Sequence, residues 1–563
     1  MIEKTKHEIK DIIMRALGAL TARGEIEATT LPAFNVEIPA ESSHGDFSCN
    51  AALTCAKTLR MKPRDLATLL HNEADLNESS FARCEIAGPG FLNFFLNEKW
   101  YVETVKTVLE QKENYGRVNS GNGKRVLIEF VSANPTGPMH IGNARGGAIG
   151  DCLAGVLEFA GCYVEREFYL NDTGNQIDKL GLSLDYRYQQ LAESDGSPVE
   201  MPDDSYHGDD IIQHARGFRE LYGDEPLALP QDERRRMLVD YALPINIKTL
   251  ETDLLRYRIK YDTWFRESSL YETTDTAKSA AVEIVDKLGQ NGYTYEKEGA
   301  VWFRATDLGL DKDIVLIRAN GVPTYIVADI AYHYNKLVTR GFDLAIDIMG
   351  ADHHGYKARM ETALKALNVD YKRLNIIICQ MVRLVRGGET VKLSKRSGKA
   401  ITLRTLLDEV PIDAARFVFN LRDANTHLDF DLDLAIEESS KNPVYYVQYA
   451  HARICGVIRK LEEEGEFYSG GGIVFSEPAE FGLIRKIAMF PTEVALAADE
   501  FNPSRLTRYV VDLAGLYHRF YDSCRIKGEA EKTIQSRLAL CLSTRLTIKN
   551  VLGLLKVDAP EKM

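Results

Sequence analysis

The sequence predicts a doubly wound α/β domain built on a parallel sheet, with an α+β domain before it and an all-α helical bundle after it. Three observations carry this. Between Arg125 and about Arg404, short runs apolar on both faces (125–131, 163–169, 344–349 and 374–379) alternate with stretches of helical spacing, as parallel strands covered by helices do. From Asn442 to Met563 nearly every stretch has helical spacing, which reads as a bundle. Ahead of residue 125, a helical run (Ile2 to Arg23) and an alternating strand (Phe91 to Leu96) stand apart behind a glycine- and asparagine-rich linker at 114–124. A chain of 563 residues is too long for one core. The divisions expected are 1–115, 116–441 and 442–563.

Composition is that of an ordinary globular protein. The net charge of −13 argues against wholesale nucleic-acid binding. The acidic excess concentrates between Glu193 and Glu233, while basic residues outnumber acidic ones from Arg505 to Lys556. A solvated helical face is the plainer reading of that basic stretch, and a face tracking RNA phosphates the sharper one. Nine cysteines, an odd number with no C-x-x-C, read as reduced thiols and not as a zinc site. No apolar run approaches the roughly 20 residues that span a bilayer. The segment Met1 to His7 has no signal-peptide apolar core behind it, so a cytoplasmic location is expected.

In chain order, His44 to Asn50 forms a turn into a helix, Ala51 to Arg60. Gly88-Pro89-Gly90 precedes the strand Phe91 to Leu96. The first strand of the α/β region, Arg125 to Phe130, then runs into Val131-Ser132-Ala133-Asn134-Pro135-Thr136-Gly137-Pro138-Met139-His140-Ile141-Gly142-Asn143. Two prolines and a glycine force a tight turn, and a helix from Ile141 to Gly161 follows with His140 in its first turn. The free N–H groups and positive dipole end of such a helix suit a phosphate. The long interval before the 344–349 strand, with its acidic segment 194–210 and an alternating piece near Gly299 to Arg304, reads as an insertion. Arg386 to Lys399 is a glycine-flanked loop carrying Lys392, Lys395, Arg396 and Lys399, suited to neutralising a polyphosphate as it leaves. In the bundle, Tyr445, Tyr446 and Tyr449 are candidates for base stacking, with core aromatics the plainer alternative.

The two stretches together resemble the paired signatures of the class I aminoacyl-tRNA synthetases, H-I-G-H and K-M-S-K-S. Here they read His140-Ile141-Gly142-Asn143 and Lys392-Leu393-Ser394-Lys395-Arg396. Asn143 stands for the last histidine and can hydrogen-bond but not carry charge. Arg396 stands for the last serine and adds a cation. Within the class, the chain is similar to the arginyl-tRNA synthetase family through Ser132 to His140, Gly350-Ala351-Asp352-His353-His354-Gly355, Trp264 to Tyr271, His44-Gly45-Asp46-Phe47, Gly88 to Phe91 and the ending Leu552 to Met563. The resemblance covers nearly the whole chain.

That resemblance implies a Rossmann-type catalytic domain that activates L-arginine with Mg²⁺-ATP and transfers it to the 3′ end of tRNA(Arg). It assigns catalysis to His140, Asn143, Lys392 and Lys395. ATP binding falls to Pro135, Thr136, Gly137, Pro138, Met139, His140, Ile141, Gly142, Asn143 and Lys395. Arginine binding falls to Glu129, Ser132, Asn134, Tyr325, Asp329 and His353. Tyr325 and Asp329 are four apart, one helical turn, and so face one way. Tyr445, Tyr449 and Arg453 are the tRNA-binding candidates. The implied state is a monomer with no tightly bound metal or prosthetic group and no membrane association. Competing readings are a synthetase for cysteine, glutamate or lysine, a smaller nucleotidyltransferase, and a tRNA-binding protein without catalysis. The missing Cys cluster, the helical bundle, and the retained His140 and Lys395 weigh against them in turn.

Overall fold

The computed structural model describes residues 1–27, 29–192, 199–273, 278–351, 355–391 and 401–563. The first four strands, β1 (Val36–Glu37), β2 (Phe47–Cys49), β3 (Phe81–Ala87) and β4 (Phe91–Leu96), form an antiparallel sheet in the order β1-β2-β4-β3. The helices Ile2–Ala22 and Pro63–Glu73 accompany it. Gly88-Pro89-Gly90 makes the β3–β4 turn. Two expectations change here. The helix after Asn50 stops at Cys55, and the chain reaches a left-handed Arg60 (φ 52°) that ends any continuation. β4 does not alternate, because Leu92, Asn93 and Phe94 are all buried between its two neighbours and the helices.

Among the described residues eleven strands follow: β5 (Arg125–Phe130), β6 (Tyr163–Leu170), β7 (Thr263–Arg266), β8 (Thr294–Lys297), β9 (Ala300–Phe303), β10 (Ile314–Ile317), β11 (Leu344–Gly350), β12 (Leu374–Cys379), β13 (Val382–Arg386), β14 (Glu389–Thr390) and β15 (Leu428–Asp431). Five of them make one parallel sheet in the order β12-β11-β5-β6-β7. The four apolar runs are its first, second, fourth and fifth members in sequence. β7 was not anticipated, being four residues long and polar at both ends. Strand order reverses at β5, with β6 and β7 on one side and β11 and β12 on the other. The carboxyl ends of β5 and β11 therefore flank the crevice where such sheets take ligands.

The helix after the first turn spans Gly142–Phe159, so His140 lies just before it and not in its first turn. It is buried along most of its length, and its glycines permit this. A Cβ on Gly150 would lie 2.3 Å from the Phe130 ring, and one on Gly147 would lie 2.9 Å from Ile259 Cδ1. Arg145, in its first turns, is fully buried and donates to the carbonyls of Gln380, Thr426 and Asp423. The described residues between β6 and β7 include three α-helices, Asn175–Ala192, Asp209–Tyr222 and Gln231–Arg256, around a small core of their own that includes Leu184, Tyr188, Phe218 and Leu238. Asp185 and Arg234 pair at 2.6 Å within it.

The C-terminal helices, Pro443–Glu463, Pro478–Ala488, Phe490–Asp499, Ser504–Ser523 and Glu531–Leu554, form the expected bundle. Arg416, wholly buried, joins it to the sheet domain: Nη2 donates to Asp151 Oδ2 at 2.6 Å, Nη1 to the Tyr257 carbonyl at 2.8 Å and Nε to the Leu555 carbonyl at 3.1 Å. The N-terminal part meets the bundle through Arg485 Nη1 on Asp46 Oδ1 at 2.7 Å and the Tyr115 hydroxyl on the Ile487 carbonyl at 2.9 Å. Gly150→Ala should destabilise the sheet domain by about 1–3 kcal/mol, since its methyl has no space beside Phe130. Thermal unfolding at the parent midpoint would refute the packing argument.

Candidate active site

The site begins with three acidic residues in one row. Parallel register sets Asp347 of β11 beside Glu129 of β5, and Glu129 beside Glu167 of β6. All three carboxylates are buried. Such a row repels itself unless cations join it. The helix Tyr325–Tyr334 passes into a π-helical turn, Asn335–Thr339, and this turn delivers Lys336. Its ammonium lies 2.5 Å from Glu129 Oε2 and 2.8 Å from Asp347 Oδ1. Burial alone would lower the Lys336 pKa, but Asp347, Glu129 and Glu167 outweigh it and hold the ammonium above its ordinary value. Burial alone would raise Asp347, but Lys336 and His333 hold it below the usual carboxylate range. His333 Nε2 sits 2.7 Å from Asp347 Oδ2. Glu167 takes the Tyr332 hydroxyl and Arg340 Nη1, each at 2.6 Å.

Glu129 keeps its second oxygen for the chain beyond β5. The Ser132 hydroxyl donates to Glu129 Oε1 at 2.8 Å and accepts from the Tyr169 N–H at 3.1 Å. Val131 (φ 72°) and Ser132 (φ 41°) are consecutive left-handed residues without being glycines, and Val131 is β-branched. Backbone of this kind costs on the order of 1–3 kcal/mol per residue and persists where its surroundings enforce it.

Past this turn opens a cavity of about 730 Å³. Glu129, Ser132, Asn134, Pro138, Met139, His140, Asn143, Tyr325 and Asp329 line it, so the structure brings these nine of the residues singled out from the sequence around one cavity. Pro135, Thr136, Gly137, Ile141 and Gly142 are not on the cavity wall and form the turn beside it. His140 Nδ1 accepts from the Gly142 N–H at 3.0 Å. Tyr325 is 54% exposed at the mouth, where its hydroxyl accepts from the Asn175 N–H at 3.4 Å. His353, Lys392 and Lys395 lie outside the described residues. The chain beyond 400 is fixed to the first signature: the Ile141 N–H donates to the Ile401 carbonyl at 3.1 Å and the Leu403 N–H to the Met139 carbonyl at 2.9 Å.

Sequence reasoning missed the aromatic wall of Tyr169, Tyr332 and Tyr356, the adjacent Glu267, and Lys336. Glu267 is buried, and in the orientation that satisfies its neighbours the Asn171 amide donates to Glu267 Oε2 at 2.8 Å. Burial first, then the charge of Asp329, push Glu267 up to about 7. Burial, with Glu129 adding to it and His333 opposing it, pushes Asp329 up to about 6. Among the described residues neither carboxylate makes an ion pair. The stretch Trp264 to Tyr271 was the available signal for Glu267; Lys336 left none.

On the bundle helix Pro443–Glu463, Tyr445 and Tyr449 stack at 6.2 Å with an interplanar angle of 6°. The Arg453 guanidinium lies 4.7 Å from the Tyr449 ring centroid and 5.0 Å from that of Tyr521. These three residues make a cationic aromatic patch of their own and do not line the cavity. The basic stretch from Arg505 is partly neutralised within the fold. Arg505 pairs with Glu493 and Glu500, and the buried Arg537 donates to Glu480 at 2.7 Å, so neither belongs to a free phosphate-tracking face.

Three family models match: the arginyl tRNA synthetase N-terminal domain at residues 7–96, the tRNA synthetases class I (R) catalytic domain at 104–454, and the DALR anticodon binding domain at 447–563. The chain is 49% identical to the arginine–tRNA ligase of Acetivibrio thermocellus over 100% of both chains. It is 48% identical to that of Caldanaerobacter subterraneus subsp. tengcongensis, again over 100% of both. The arginyl-tRNA synthetase of Thermus thermophilus shares the fold, with a TM-score of 0.75 at 21% identity over 99% of this chain and 100% of that one.

Removing Lys336 leaves two buried carboxylates side by side, so Lys336→Met should cost about 3–5 kcal/mol, read as a lower urea midpoint. Adding Glu129→Gln and Asp347→Asn should recover most of it. A Lys336→Met variant as stable as the parent would show that the row does not need its cation.

Proposed function

The chain belongs to the arginyl-tRNA synthetase family, and we infer that it is an arginine–tRNA ligase that activates L-arginine with ATP and esterifies it to the 3′ end of tRNA(Arg). The observation that carries the reading is the acidic, aromatic-walled cavity at the sheet's switch point, opening directly onto the signature turn. A guanidinium presents five donors in a planar fork and stays charged at any working pH. Asp329 and Glu267, without cation partners among the described residues, are the natural acceptors for it. Tyr325 would cover the side chain. Glu129, Ser132 and Asn134, with His353, would hold the α-amino and carboxylate end toward the turn.

In the first step an arginine carboxylate oxygen attacks the α-phosphorus of ATP and the bond to the bridging oxygen breaks, giving arginyl-adenylate and pyrophosphate. In the second, a hydroxyl of the terminal ribose attacks the adenylate carbonyl, giving aminoacyl-tRNA and AMP. Mg²⁺ enters with the nucleotide and offsets phosphate charge. Pro135 to Asn143 would cradle the nucleotide, with the N–H groups at the start of the Gly142 helix near its phosphates. His140 and Asn143 would donate to the α-phosphate as charge grows, and Lys392 and Lys395 would hold the departing pyrophosphate. We assign residues 1–115 and 442–563 to tRNA, with Tyr445, Tyr449 and Arg453 stacking on and pairing with the anticodon arm, and 116–441 to the chemistry. A cytoplasmic monomer is the working state, with sedimentation as its check.

Arginine-dependent exchange of pyrophosphate into ATP, with and without bulk tRNA, tests the function. Exchange with arginine and no other amino acid is expected, and tRNA binding without exchange would overturn the reading. Lys395→Ala should slow exchange by about 10²–10³ and leave tRNA affinity nearly intact.

The raised carboxyl groups give a second test. Glu267 at about 7 and Asp329 at about 6 hold protons that the unfolded chain releases near its ordinary carboxyl values. The folded state therefore binds more protons between about pH 4.5 and 7, and these two groups make it less stable as pH rises through that window. A bound guanidinium favours their ionised forms. Arginine should bind more tightly as pH rises from 5.5 to 8, release protons on binding below pH 7, and give a larger thermal shift at pH 8 than at pH 6. A flat profile would remove these two carboxylates from the arginine site.

A further inference from the structure

The inserted helices reach the signature turn at two points, and neither point is on the cavity wall. Among the described residues, the backbone of 133–138 makes one hydrogen bond: Asn246 Nδ2 donates to the Pro135 carbonyl at 3.0 Å. Pro135 and Pro138 have no N–H to offer, and the turn follows the strained Val131-Ser132 pair, so little within it fixes its path. Asn246 is 5% exposed and sits two residues beyond Pro244, the proline inside the helix Gln231–Arg256.

Because the Asn246 amide nitrogen is committed to Pro135, its oxygen must accept. His214 Nε2 lies 2.8 Å from it, so His214 carries its proton there. His214, 9% exposed, belongs to the neighbouring helix Asp209–Tyr222. One turn before it, Asp210 supplies the second contact: a Cβ on Gly137 would lie 3.1 Å from Asp210 Oδ2, so the insertion packs directly on the glycine of the turn.

The geometry points to Asn246 and His214 as positioning residues, a side-chain relay by which the insertion holds the Pro135–Gly137 turn in the shape that receives ATP. This rests on the ATP-dependent activation inferred above. Both residues act through the turn and touch no substrate. Freeing the Pro135 carbonyl lets the turn wander by fractions of an ångström, a displacement that matters for in-line attack. The effect should fall on ATP, and arginine's cavity wall should be spared.

The test is kinetics of arginine-dependent pyrophosphate exchange on the full-length chain, with folding checked by circular dichroism. Asn246→Ala should raise the ATP KM or lower kcat by about tenfold or more, with arginine KM and tRNA Kd within about twofold of the parent. His214→Ala should show a smaller loss of the same kind. His214→Gln, whose amide can donate to Asn246 Oδ1, should return to within about twofold of the parent. A folded Asn246→Ala with ATP KM and kcat unchanged overturns the inference. So does a loss shared equally by ATP, arginine and tRNA, which would mark a merely structural role. If Asn246→Ala does not fold, the two His214 variants decide by the same criteria. A parent chain without arginine-dependent exchange would refute the functional reading instead, and ATP affinity by calorimetry on the same variants would then decide the relay.

Discussion

Three carboxylates side by side across three parallel strands are an unstable thing to build, and the centre of this protein depends on how they are neutralised. Asp347, Glu129 and Glu167 share one register row and one face of the sheet. Lys336 spans the first two, while Arg340 and Tyr332 take the third. Every one of these partners comes from the segment 332–340, so a single helix end, with its π-helical turn, closes the circuit for the whole row. π turns are uncommon, and they cluster at functional sites because they re-aim side chains that an α-helix would send elsewhere. Here the re-aimed residue is the cation itself. With Lys336 in place, Glu129 has one oxygen fixed beneath the sheet and the other turned up to Ser132, which orders the strained exit of β5 and so the signature turn.

The sequence made some of this legible. Four of the five parallel strands, the turn after the first, the helix beyond it and the C-terminal bundle follow from local patterning. Local patterning carries that information because buried parallel strands and covering helices need apolar residues at fixed spacing. β7 escaped because four residues ending in Thr and Arg have no pattern to read, and its place at the sheet edge is decided by β6. The site divides in the same way. Residues on or beside the first turn, and the Tyr325–Asp329 pair on one helical turn, could be named from spacing and resemblance. Lys336 could not, since its partner Glu129 is 207 positions away and an isolated lysine in an apolar helix reads as a solvated one. The basic stretch after Arg505, whose plainer reading was a solvated face, shows a different limit. Counting charge in one dimension cannot see that Arg505 and Arg537 are already matched by Glu493 and Glu480.

The three parts of the molecule are not beads on a string. Arg416 places one guanidinium between Asp151, Tyr257 and Leu555, so the signature helix, the chain entering β7 and the end of the bundle meet at a single buried group. Cys152 adds a weak contact to the same Leu555 carbonyl. The N-terminal sheet reaches the bundle through Asp46 and Arg485. A load applied to the bundle, where the exposed Tyr449 and the half-buried Arg453 lie, therefore has a continuous packed route to the helix that begins at Gly142. Arg416 at its centre is wholly buried and donates from all three guanidinium nitrogens, and a close-packed interior of this kind transmits strain.

The cavity makes the complementary choice. Lys336 and Arg340 neutralise the acids beneath the sheet, yet Asp329 and Glu267 are kept without an ion pair among the described residues and pushed upward, both by burial first, Glu267 also by the charge of Asp329 and Asp329 by that of Glu129. Holding the buried Glu267 and the half-buried Asp329 without a cation is unfavourable, and a bound cation would relieve it. On the function proposed above, a lysine side chain would meet these acids as a point charge, whereas a guanidinium would offer five donors in a planar fork. Discrimination would then come from what is left unmet when the wrong cation binds, since a buried acceptor without its donor loses more than the right contact gains. In this reading the destabilised acids are the source of specificity, and the neutralised row beneath them is what lets the fold tolerate their presence.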